Sequence, residues 1–116
     1  MTQSKSSVPM RFSDALNRLD GDEELLVEMA RITAPDFRPL VKDAGDAVAR
    51  EDAAAAIAHL HKLKGMLSTF ESDGIVLEIQ DMLHAARGGN VGVARELFQQ
   101  HRDGILELVS AVEELT

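Results

Sequence analysis

Apolar residues recur every three or four positions along nearly the whole chain, the period of an α-helix. Phe12 to Leu19 predicts a short helix with Ser13 as its candidate N-cap. Asp20-Gly21-Asp22 breaks the pattern: Gly suits the end of one helix, and Asp22 suits the start of the next. From there Leu25, Leu26, Met29 and Ile32 share one face, and Glu23 and Glu24 place acidic charge at the positive end of the helix dipole. Ala34-Pro35 interrupts the period, which resumes at Phe37, Leu40, Val41, Ala44 and Val48. This predicts either one long kinked helix or two abutting ones, with Pro39 in the first turn of the second.

Asp52 is the candidate N-cap of the next helix, which runs to about Phe70. Ser72-Asp73-Gly74 reads as a turn. A further helix covers Ile75 to Arg87, with Leu77, Ile79, Met82, Leu83 and Ala86 expected inside. Gly88-Gly89-Asn90 stops it, and Asn90 is placed to cap the last helix, which carries Val93, Ala94, Leu97, Phe98, His101, Ile105, Leu108, Val109, Val112 and Leu115. No segment alternates as a strand would. Short connections make successive helices antiparallel neighbours. The expected fold is all-α, an antiparallel four-helix bundle with a short additional N-terminal helix. Residues 1–10 read as a flexible polar tail and 11–116 as one domain.

Composition narrows the function. The net charge is −8, with no basic run, which disfavours nucleic acid and anionic membrane surfaces as partners. There is no Cys, so disulfides, zinc–thiolate sites and cysteine nucleophiles are excluded. The longest apolar run, Ala53 to Ala58, is too short to span a bilayer. The first residues lack the apolar core of a signal peptide, so a cytoplasmic location is expected.

One helix stands out for chemistry. Projected at about 100° per residue, Leu60, Leu63, Leu67 and Phe70 form a buried stripe. His61, Lys64, Gly65 and Ser68 line up beside it at i, i+3, i+4 and i+7. Gly65 is the unusual member, because a Gly inside a helix costs about 1 kcal/mol relative to Ala. Helical side chains lean toward the N-terminus, so residue i+4 covers the surface around residue i. A Gly four residues after His61 leaves that imidazole standing clear. Lys64, one turn away, is placed to attract a phosphoryl group and to favour a neutral, nucleophilic ring. Ser68 is a weaker candidate for a hydrogen bond to the ring or the phosphate. These features define an exposed, reactive His on a helix.

His61-Lys62-Leu63-Lys64-Gly65 resembles the His-x-aliphatic-Lys-Gly core of histidine phosphotransfer (HPt) domains. Ala15 to Leu26, Phe37 to Ala53 and Arg87 to Asn90 resemble that family's opening helix, its approach to the His helix and its final turn, so the likeness covers about residues 12–115. The resemblance implies a phosphocarrier of a two-component phosphorelay. His61 would be the phosphoacceptor, Lys64 the charge-compensating neighbour and Gly65 the residue that gives a partner access. The implied partners are a response-regulator receiver domain, whose Asp exchanges the phosphoryl group, and a hybrid sensor histidine kinase. The carrier would have no kinase activity, cofactor or metal of its own; the magnesium needed for transfer would sit on the receiver. It is expected to be a monomer, docking through the exposed side of the His helix and part of the helix at 22–48.

The chain departs from the family pattern at Leu60, Met66, Leu67, Glu71 and Ser72. Those departures support a second reading, a catalytically silent helical module that docks a receiver or kinase without transfer. A third is a metal-binding bundle using His59, His84 and His101, although Asp81-x-x-His84 supplies only half of the usual paired motif. His59 lies about 160° from His61 around the helix and has no Gly at i+4.

Overall fold

A computed structural model describes residues 8–116. The tail assigned to residues 1–10 therefore lies mostly outside the described residues. Its last part is seated: Val8 is buried, and Met10–Phe12 form a 3₁₀ turn leading into α1 (Ser13–Arg18). Ser13 is the first residue of α1 rather than its cap; Phe12 holds the cap position without a side-chain hydrogen bond.

The carboxylate of Asp22 accepts from the Leu25 amide at 3.0 Å and starts α2 (Glu23–Ala49). α2 is one continuous helix of 27 residues through both Pro35 and Pro39. Each proline removes one hydrogen bond, to the carbonyl four residues earlier. Arg31, Pro35 and Pro39 are all exposed, so the freed carbonyls of Arg31 and Pro35 lie on the wet side of the helix. With those carbonyls open to water, the helix continues through both prolines.

At the end of α2, Glu51 adopts a left-handed φ of 55° and lets the Asp52 amide bond back to the Ala47 carbonyl at 2.9 Å. Asp52 then caps α3 (Ala53–Leu67) by accepting from the Ala55 amide at 3.1 Å. One three-residue turn thus closes one helix and opens the next. α4 (Ile75–Arg87) and α5 (Val91–Glu114) follow. Glu71, where the chain departs from the expected pattern, helps to start α4: its Oε2 accepts from the Ile75 amide at 3.3 Å, while its Oε1 accepts from Arg11 at 3.2 Å. Asn90 precedes α5 as expected but makes no side-chain capping bond.

α2 packs on α3 and α5, and α4 packs on α3 and α5, which closes a four-helix ring. Leu26, Phe37, Leu60, Leu63, Leu67, Ile79, Met82, Leu83, Ile105 and Leu108 fill its centre. Gly45 permits the close approach of α2 to α5; a Cβ there would lie 3.0 Å from the Phe98 ring. Arg38 of α2 and Glu113 of α5 add an outer tie at 2.8 Å. The hydrogen bond from Arg38, helped by its charge, holds the Glu113 carboxyl below its ordinary value.

The N-terminal helix covers the end of the bundle. Phe12 and Phe37 meet Phe70 edge-on at 6.2 and 6.3 Å. Arg18 donates to the Ser68 and Thr69 carbonyls at 3.2 and 3.0 Å, placing a cation at the negative end of α3. No described helix is long and apolar enough to cross a membrane. Four expected core positions turn outward instead: Leu25, Ile32, Leu77 and Val93 are exposed.

Candidate functional site

α3 is anchored along its apolar stripe, since Leu60, Leu63, Leu67 and the following Phe70 are all buried. That anchoring fixes the rotation of the helix and turns the neighbouring stripe outward. His61 and Gly65 are exposed, while Lys64 and Ser68 are half-buried at its edge. His61 and Lys64 are one turn apart and can act on a common group.

Gly65 is not needed by the fold. A Cβ built on it meets nothing within 4 Å. The helix therefore carries the cost of an interior Gly with no internal contact that requires it. The bare surface lies beside His61 and faces solvent.

The hydroxyl of Ser68 does not reach toward His61. It donates to the Lys64 carbonyl at 2.6 Å, the back-bonding habit of a serine inside a helix. Its only proton is spent there, so the expected donation from Ser68 to the ring or to a phosphate is not formed.

Arg87, in the last turn of α4, was not singled out from the sequence. Its Nη2 lies 3.5 Å from Nδ1 of His61, a long contact at the outer edge of hydrogen-bonding range. Guanidinium only donates, so the contact is a hydrogen bond only in the tautomer that leaves Nδ1 unprotonated. The two residues are 26 apart in sequence. A basic residue ending a helix reads locally as a complement to the helix dipole, so no local pattern points from one to the other. Together Lys64 and Arg87 place one cation on each of two helices around an exposed imidazole. Such a site suits a group carrying two negative charges.

The other histidines are dispersed. His59 is half-buried on α3, and His84 is exposed on α4. His101 of α5 pairs with Glu78 of α4 at 2.8 Å. Among the described residues, no group of three or more His, Cys, Asp and Glu side chains gathers as a metal site.

No curated protein and no solved structure gives a match to the chain. A family model does: the Hpt domain, over residues 23–115. The match opens on the first residue of α2 and closes just beyond α5, so α1 lies outside it. Because it takes in all four bundle helices and the whole surface around His61, the chain belongs to the histidine phosphotransfer (Hpt) domain family.

Proposed function

We propose that this chain accepts a phosphoryl group on His61 and exchanges it with the aspartate of a response-regulator receiver domain. Carriage of phosphoryl groups in phosphorelays is the general role of the family; the acceptor residue and the partner are what is proposed. The observation that carries the reading is the position of His61, exposed beside the bare surface of Gly65 and in contact with Arg87.

In the transfer, a lone pair of the His61 imidazole attacks the phosphorus of the receiver's aspartyl phosphate. The N–P bond forms as the acyl P–O bond breaks, and the aspartate leaves as a carboxylate. The other ring nitrogen keeps its proton. Lys64 and Arg87 face the phosphoryl oxygens and offset their charge. The reverse reaction uses the same contacts. The chain needs no nucleotide site, because its donor is a phosphorylated receiver or a hybrid sensor histidine kinase. The magnesium ion for transfer belongs to the receiver. Gly65 admits the receiver's surface, and Ser68 serves the helix rather than the phosphate.

The test is incubation with phosphoramidate and with phosphorylated receiver domains, followed by mass spectrometry under non-acidic conditions. One acid-labile phosphoryl group is expected on His61, absent from His61→Gln and retained in His59→Gln. Uptake by His61→Gln at the wild-type rate would overturn the acceptor assignment. Receiver binding that survives His61 replacement, with no uptake from any donor, would instead establish the docking-only module.

A further inference from the structure

We draw no further inference here: the strongest candidate, the groove between α2 and α5 lined by Lys42, Arg95 and Arg102, carries nothing, because Lys42 is already paired with Asp46 of the same groove and Arg95 with Glu51, and nothing in the structure shows what covers it.

Discussion

Replacing Gly65 by Ala should make the protein more stable and a worse phosphocarrier. The added methyl enters open space, with no atom within 4 Å, so it creates no strain within the domain. It stands inside α3, where exchanging Gly for Ala favours the helix by about 1 kcal/mol, partly by restricting the unfolded chain. Unfolding entropy of roughly 2.1 cal/mol/K per residue converts that gain to a rise in Tm of about 4 °C for a chain of this size. The same methyl projects beside His61 into the surface a receiver must cover. A displacement of about 1 Å at a reacting centre can cost on the order of a hundredfold in rate. Receiver exchange should therefore fall tenfold or more, while phosphoramidate, small enough to pass the methyl, labels His61 nearly as before. Thermal unfolding followed by helical circular dichroism, together with transfer from a phosphorylated receiver, reads both effects. A lower Tm would show that the fold itself requires Gly65. A higher Tm with unchanged exchange would show that the bare surface is not where the partner sits.

Arg87→Gln should slow receiver exchange by about tenfold with Tm nearly unchanged, because the side chain is exposed and a lost surface contact shifts stability by less than about 0.5 kcal/mol. Arg87→Lys should recover part of the rate; exchange at the wild-type rate in Arg87→Gln would remove the residue from the site. Gly45→Ala should have the opposite sign from Gly65→Ala, despite the same gain in helix propensity, because its methyl would press on the Phe98 ring at 3.0 Å. A loss of about 1 kcal/mol or more is expected in urea unfolding, and a gain would show that the ring moves aside freely.

The two glycines show where local reading stops. Both interrupt good helical sequence and look alike as weaknesses in a helix. One faces a neighbouring helix and the other faces solvent, and only the packing tells them apart. The prolines of α2 teach the same point. The break in period at Ala34-Pro35 leaves one long helix or two abutting ones open, and the structure has one, with Pro35 and Pro39 both on its wet side. Leu25 and Ile32 have the spacing of core residues but lie outside the sector that α3 and α5 cover.

What the sequence determined by itself is local. The period of apolar residues set the helices; α4 spans Ile75–Arg87 as expected, and Asp22 and Asp52 cap α2 and α3 because a carboxylate before a helix satisfies its first free amides. The stripe Leu60, Leu63, Leu67 and Phe70 fixed the phase of α3, and that phase alone put His61 and Gly65 outside. Only the tertiary structure decided what lies across from a helix. It brought Arg87 to His61 over 26 residues, set Asp36 and Asp43 of α2 around one groove with Lys62, and spent the Ser68 proton on its own helix. Period and caps act within a few residues along the chain, whereas lateral contacts depend on how four helices rotate against one another, which no single helix specifies.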